Sequence, residues 1–108
     1  MAALLGPLEQ AVLLSVHRLG DDAYGRSILR SVELALERDT SSGAVYATLD
    51  RLEQQKLLSS RLEKGTAVRA GRPRRFYRVS AAGVRALNEA RSALDRIWNG
   101  AASPMEVR

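Results

Sequence analysis

The run Arg72-Pro73-Arg74-Arg75 carries the side chains best suited to chemistry in this sequence, and that chemistry is anion binding. Guanidinium groups form paired hydrogen bonds with phosphate oxygens and also fit narrow grooves of nucleic acids. Pro73 restricts the backbone beside the arginines. In a β-strand Arg74 and Arg75 point to opposite faces, and alternation alone leaves open which of them is outward. The run therefore predicts phosphate contacts from a strand or hairpin.

The basic residues of the chain are concentrated around that run. The 108-residue chain has a formal net charge of +5. Residues 56–78 hold eight of the 17 lysines and arginines with a single acidic residue, a local charge of +7, which leaves −2 for the remainder. Charge runs are usually only solvated surfaces. A patch this dense on a slightly acidic body instead favours docking on polyanions such as nucleic acids.

Composition excludes several function classes. The chain is 45% apolar and 27% charged, which is ordinary for one folded domain of 108 residues. It has no cysteine, so a thiol nucleophile and a cysteine zinc site are excluded, and a reducing cytoplasm is expected. The single histidine, His17, has no ligand partner at metal spacing, and no nucleophile stands beside a base. We therefore predict no enzyme, metal, cofactor or membrane segment.

Apolar periodicity predicts the elements that position the basic run. Apolar residues recur every three or four positions in the first half of the chain, and Asp22 and Ser41 are placed to cap the second and third helices. Short runs with strand-forming residues and glycines follow, and Ser80 is placed to cap a last helix. The predicted elements are helices over 8–19, 23–37 and 42–56, strands over 57–63 and 76–79 joined by a basic tip, and a helix over 81–100.

This order of elements predicts an α+β, mainly α fold, the winged helix-turn-helix, with three helices plus a two-stranded β-hairpin wing and one C-terminal dimerisation helix. In such a fold the third helix enters the major groove and the hairpin reaches the adjacent backbone or minor groove. We therefore assign residues 1–80 to a winged helix-turn-helix DNA-binding domain, 81–100 to the dimerisation helix and 101–108 to a frayed tail.

The third predicted helix begins with small and polar residues. The amides of Ser41, Ser42 and Gly43 can meet a phosphate at the positive end of the helix dipole, a role compatible with capping. Ala47 lies on the same general side as Ser42 and is also small. Because this face has few long side chains that could read bases, much of the affinity must come from the wing.

Two larger residues of the same helix are candidates for DNA contact. Tyr46 follows core residue Val45, so its ring can pack partly while its hydroxyl points to a phosphate or a base edge. Arg51 lies on a different side from the core positions and can reach a phosphate or a guanine. For Arg51, an ion pair with Asp50 or Glu53 is an equally open interpretation.

Taken in order, the sequence resembles the PadR family of bacterial transcriptional regulators. The matching segments are Asp22–Gly25, Ser41–Tyr46 with the rest of the third helix, and Gly71–Tyr77, within roughly residues 8–85. The resemblance includes Tyr24 among the DNA-binding residues. Lys56 is a departure, since the family usually has glycine there. A single helix after the wing resembles the short-tailed branch of the family.

The resemblance also implies a homodimer formed through the last helix. Ile97 and Trp98 are too apolar to be left in water on a lone helix. With Leu87 and Leu94, they are the expected seam between two copies. Some short-tailed relatives bind flat hydrophobic drugs at such a seam, which leaves a small hydrophobic effector open, although a plain dimer contact is favoured.

We therefore predict a repressor that binds an inverted-repeat operator in double-stranded DNA as a homodimer. Two alternatives belong to other classes. A winged-helix protein-interaction module would not need the basic wing. An RNA-binding protein without operator specificity would show little preference for duplex DNA over folded RNA.

Overall fold

In the computed structural model, which describes residues 4–63 and 73–107, the elements follow the predicted order. A 3₁₀ turn, Gly20–Asp22, joins the first two helices. The helices and strands are α1 (Pro7–Leu19), α2 (Gly25–Leu36), α3 (Ser42–Gln54), β1 (Leu58–Leu62), β2 (Arg75–Val79) and α4 (Ala81–Trp98). The prediction of three helices, a hairpin and a final helix is confirmed, and so is the mainly α winged helix fold.

The core forms where the apolar faces of α1, α2 and α3 meet. Its central side chains are almost fully buried, and each stabilises the fold by about 1.5–3 kcal/mol relative to an exposed position. They are Val12, Leu13, Val16, Ile28, Val32, Val45, Leu49, Leu52 and Leu58. The three or four residue spacing seen in the sequence therefore identifies the buried faces correctly. None of the helices described is both long and apolar enough to cross a bilayer.

The start of the second helix differs from the prediction. It begins at Gly25 rather than at residue 23, because Gly20–Asp22 closes a separate turn. The Tyr24 amide donates to the Ser27 hydroxyl oxygen at 3.0 Å, and that hydroxyl donates to the Asp22 carbonyl. Asp22 is therefore not the side-chain cap that the sequence suggested. Instead Ser27 reaches back from within the helix to the residues before it.

The third helix also ends earlier than predicted, at Gln54 instead of residue 56. Lys56 has φ 64°, in the left-handed region, which ends the helix and turns the chain into β1. Side chains other than glycine pay roughly 1–2 kcal/mol for this conformation. The position where the sequence departs from its family's usual glycine is therefore one at which the backbone favours glycine.

The two strands pair antiparallel, with Leu58 opposite Val79 and Leu62 opposite Arg75. The sheet is also bonded to the segment before α2. The Tyr77 amide donates to the Ala23 carbonyl at 2.9 Å, and Tyr24 forms a single bridge with Phe76. The hairpin is therefore fixed to the helical body rather than standing free. The predicted basic tip over 64–73 lies almost wholly outside the described residues.

The start of α4 is fixed against the α3–β1 connection. The Ser80 hydroxyl accepts from the Gly83 amide at 3.0 Å, as predicted for a cap, and donates to the Lys56 carbonyl at 2.7 Å. Gly83 is buried, and its Cα packs against the Leu57 carbonyl and the Val79 side chain. This close approach leaves no room for a side chain at position 83.

We expect Gly83→Ala to lower the free energy of unfolding by about 1–3 kcal/mol, because the added methyl group overpacks a buried contact. A Cβ there would lie 2.7 Å from the Val79 Cγ1 and would overlap the Leu57 carbonyl. Urea denaturation measures the change. Gly43→Ala is the matched control, since nothing lies within 4 Å of a Cβ at that helical position. Equal stability of the two variants would contradict this packing.

Candidate nucleic-acid interface

One face of α3 is buried and the opposite face is exposed, which sets the residues available to a partner. Ser41 caps the helix, as predicted, and its hydroxyl accepts from the Ala44 amide at 3.0 Å. Ser41, Ser42 and Gly43 are exposed at this first turn. The exposed side continues through Tyr46, which is 45% exposed, and Ala47. The structure thus brings five of the predicted residues, all but Arg51 of this helix, onto one accessible surface.

Stacked arginine and aromatic side chains join the hairpin to the start of α2. The rings of Tyr24 and Phe76 meet edge to face, with centroids 5.7 Å apart. The Arg74 guanidinium lies 4.2 Å from the Tyr24 ring centroid, and that of Arg61 lies 5.3 Å from the Phe76 centroid. Cation–π contacts of this kind restrict the guanidinium while leaving its hydrogen-bond donors available. Tyr24 therefore supports Arg74 as well as being a candidate contact itself.

A hydrogen-bonded chain links α3 to the other arginine of the wing. The Ser60 hydroxyl, on β1, donates to the Glu53 carboxylate at 2.6 Å. The same oxygen accepts from the Arg75 guanidinium at 2.9 Å. Arg75 is exposed, whereas Arg74 is half-buried against Tyr24. This answers the question that strand alternation left open, because Arg75 is the outward side chain of the two.

Tyr24, Arg74 and Arg75 line a cleft of about 500 Å³ between the start of α2, the exposed side of α3 and the wing. Three arginines and three tyrosines give it positive charge and hydroxyl groups, which suit a phosphate. The lining residues are Tyr24, Gly25, Arg26, Tyr46, Pro73, Arg74, Arg75 and Tyr77. The cleft therefore gathers residues from three predicted elements into a single positively charged surface.

Tyr77 lines this cleft in a partly buried position near two carboxylates. Partial burial raises the pKa of the Tyr77 hydroxyl above its usual value, and the carboxylates of Asp50 and Glu53 raise it further, against the opposing effect of Arg75. A neutral phenol keeps its proton and can donate a hydrogen bond to an anion. The hydroxyl is therefore a neutral hydrogen-bonding group at the edge of the cleft that faces the two carboxylates.

Arg51 is turned away from the cleft towards α1. One guanidinium nitrogen lies 3.9 Å from the Glu9 carboxylate and 3.4 Å from the Thr48 hydroxyl. The ion pair left open by the sequence is thus present, but its partner is Glu9 and not Asp50 or Glu53. Glu9 also accepts from the Gly6 amide at 2.8 Å, so this contact ties α3 to the first turn of α1.

The predicted site residues are therefore divided by the structure. The cleft brings together Tyr24, Tyr46, Arg74 and Arg75. The first turn of α3 lies exposed on the same helix, and Arg51 is paired elsewhere. Arg72 lies outside the described residues.

The predicted dimer residues lie on α4, in two environments. Leu87 is half-buried and packs against the core of its own chain. Beyond it the helix exposes large apolar side chains at Leu94, Ile97 and Trp98, which are 48%, 75% and 39% exposed. Between Leu87 and Leu94, Ala90 and Ala93 are buried. The second half of α4 therefore has an apolar face that the rest of the chain covers only in part.

The sequence model of the family described as transcriptional regulator PadR-like matches residues 12–89, from the middle of α1 into α4. The chain belongs to the PadR-like family of transcriptional regulators. Proteins of this family bind DNA and are not enzymes, so the chain is a DNA-binding transcriptional regulator. The expectation of a non-enzymatic regulator is confirmed.

Solved structures support the same assignment for this PadR-like regulator. A PadR family transcriptional regulator from Eggerthella lenta is 25% identical, with a TM-score of 0.67 over 94% of this chain and 87% of that chain. A PadR-like transcription factor from Bacteroides fragilis is 26% identical, with a TM-score of 0.67 over 83% and 82%. A PadR-like regulator from Bacillus cereus is 22% identical at a TM-score of 0.66 over 85% and 84%, and it supports the fold. No curated protein matches the chain.

Several residues of the cleft were missed by reasoning from the sequence of this PadR-like regulator. Arg26 lies at the start of α2 and lines the cleft. Its basic side chain near a helix N-terminus was the feature of the sequence that could have identified it. Gly25 and Tyr77 also line the cleft. Ser60 supports Arg75 through a contact between strands, and spacing along the chain carries no sign of it.

Proposed function

We propose that this PadR-like regulator is a cytoplasmic repressor that binds an inverted-repeat operator as a homodimer, with α3 in the major groove and the wing on the adjacent backbone. The observation that carries the proposal is the cleft, in which arginines of α2 and β2 flank the exposed side of α3. Repression follows most simply, because a dimer that occupies operator DNA blocks access to the promoter.

The contacts divide by chemistry between positioning and sequence reading. Arg26, Arg74 and Arg75 suit phosphates, because their charge binds any duplex without regard to sequence. The first turn of α3 presents amide groups that suit a further phosphate. Tyr46 and Ala47 lie on the exposed side of α3 and are the residues that we assign to base edges. Arg51 is half-exposed, and its 3.9 Å contact with Glu9 is weak enough to exchange for a phosphate or a guanine.

Support for a dimer comes from the second half of α4. A contiguous exposed apolar surface of this kind marks a contact site more often than a solvated helix. Leu94, Ile97 and Trp98 lie at positions i, i+3 and i+4, on one side of the helix. Two copies that join these faces around a two-fold axis present two α3 helices, which matches the symmetry of an inverted repeat.

Selection of duplexes from a random pool by the full chain is the experiment that tests this function. We expect an inverted repeat to emerge and to bind at least about 10³-fold more tightly than random duplex at the same salt concentration. Competition with folded RNA gives the second measurement, and a reporter behind a promoter that contains the selected site gives the third.

Each rival function predicts a different outcome. A protein-interaction module would select no sequence. An RNA-binding protein would be displaced from duplex DNA by folded RNA at comparable concentrations. Recovery of a single half-site in place of a repeat would refute the homodimer while leaving DNA binding intact, and a reporter that rises in expression would refute repression.

A further inference from the structure

The ring of Tyr46 occupies the space that a side chain at position 25 would fill. A Cβ built on Gly25 would lie 2.5 Å from the Tyr46 Cε1, 2.8 Å from its hydroxyl oxygen and 3.1 Å from its Cζ. These separations are far shorter than van der Waals contact. The exposed ring of α3 is therefore seated directly on the backbone at the start of α2.

We propose that Gly25 is a positioning residue, which sets the direction of the Tyr46 hydroxyl at the DNA-binding surface and so contributes to operator preference. The inference rests on the proposed function, in which Tyr46 reads DNA. Gly25 acts through Tyr46, and the absence of its side chain is what creates the seat for the ring.

The backbone does not require glycine at this position. Gly25 is the first residue of α2 and lies outside the left-handed region. In an ordinary helical conformation glycine is among the poorest helix formers, and alanine is the best. The close approach of Tyr46 is therefore the feature that glycine accommodates here. This separates Gly25 from Gly20, which has φ 58° and nothing within 4 Å of an added Cβ.

The contact with Gly25 restricts the Tyr46 side chain, which would otherwise be free to rotate. Tyr46 is 45% exposed, so its own helix leaves much of the ring in solvent. Contact with Gly25 places the hydroxyl beside the first turn of α2, in the same cleft as Arg26 and Arg74. A side chain held in its binding rotamer loses less conformational entropy when it meets DNA. Fixing the ring therefore favours DNA sequences whose groups meet the Tyr46 hydroxyl in this one orientation.

The first test is Gly25→Ala, measured on the selected operator and on random duplex. The added methyl displaces a half-exposed side chain that can rotate away, and alanine favours the helix, so we expect an unchanged or higher melting temperature. Operator preference should fall roughly 5- to 100-fold, the range of one lost base contact. Affinity for random duplex and its salt dependence should stay the same, because no charge is removed.

A double-mutant cycle with Tyr46→Ala separates positioning from other roles. In the Tyr46→Ala protein the ring is gone, so adding Gly25→Ala should change operator preference by less than about twofold. The same loss in both backgrounds would overturn the proposal, because Gly25 would then act on DNA through its own backbone. A lowered melting temperature in both backgrounds would also overturn it, since the glycine would then serve stability.

The ring itself gives a readout that does not involve DNA. We expect the NMR signals of the Tyr46 ring to shift in Gly25→Ala, whereas the indole of Trp98, at the end of α4 and outside the cleft, keeps its signals. Failure of the wild-type chain to prefer any duplex would refute the proposed function. If Tyr46→Ala lowers operator preference and Gly25→Ala does not, the proposed function stands and the positioning role is refuted.

Discussion

Replacing Arg74 and Arg75 together with alanine should make DNA binding by this regulator much weaker and much less sensitive to salt. The double variant removes two positive charges from each chain and four from the proposed dimer. Each phosphate contact contributes about 0.9 to the slope of log affinity against log salt, so the loss of two to four contacts makes the slope shallower by roughly 2 to 4. Near 0.1 M salt the affinity for any duplex should fall on the order of 10²- to 10³-fold.

The matched control for the wing is Arg85→Ala/Arg96→Ala, which removes the same charge from exposed positions of α4. These two arginines lie about three turns apart on one side of the helix, away from Leu94 and Ile97. We expect the control to keep the parent slope to within about 1. If the wing variant keeps the parent slope, or loses sequence preference while keeping affinity for random duplex, the wing is not the phosphate clamp.

Replacing Leu94 and Ile97 with glutamine should separate the two copies of the chain. Both side chains are largely exposed on the isolated chain, at 48% and 75%, so their apolar surface is available to a partner. Loss of about 1–2 kcal/mol per side chain, counted four times in a symmetric dimer, weakens self-association by roughly 10³- to 10⁶-fold. Sedimentation equilibrium measures this change, and operator affinity should fall at least about 100-fold with it.

Glutamine adds no charge, so this variant leaves the electrostatic attraction to DNA unchanged. The melting temperature of the monomer should stay well defined, because the core of α1, α2 and α3 does not include either residue. Arg85→Ala/Arg96→Ala serves again as the control and should remain a dimer. A Leu94→Gln/Ile97→Gln protein that is still dimeric at micromolar concentration would show that the seam lies elsewhere.

Periodicity and composition alone determined the elements of this protein. The buried positions of the first three helices recur every three or four residues, and their identity as core residues depends only on which side of a helix they occupy. Ser41 and Ser80 were likewise recognisable as caps, because capping joins residues three apart in the chain. Local rules of this kind need no knowledge of the rest of the fold.

Helix ends required more than local rules. Residues 23–25 have helical neighbours on both sides, but the chain there bonds to Phe76 and Tyr77 of β2, and this pairing delays the start of α2. At the end of α3, the left-handed turn at Lys56 lets Ser80 bond to its carbonyl. In both places a partner distant in sequence outweighs a weak helical preference.

The sequence by itself determined where the positive charge lies, since eight basic residues fall within 56–78 whatever the fold. Only the tertiary structure decided how those charges are held. Arg74 lies over Tyr24, Arg75 is bonded to Ser60, and Arg51 is drawn to Glu9. Each partner belongs to another part of the fold. Because an arginine side chain is long and flexible, its contacts depend on which groups the packing places near it. The spacing of residues along the chain shows which side of a helix or strand each residue occupies. Contacts between different elements form only when the core brings those elements together.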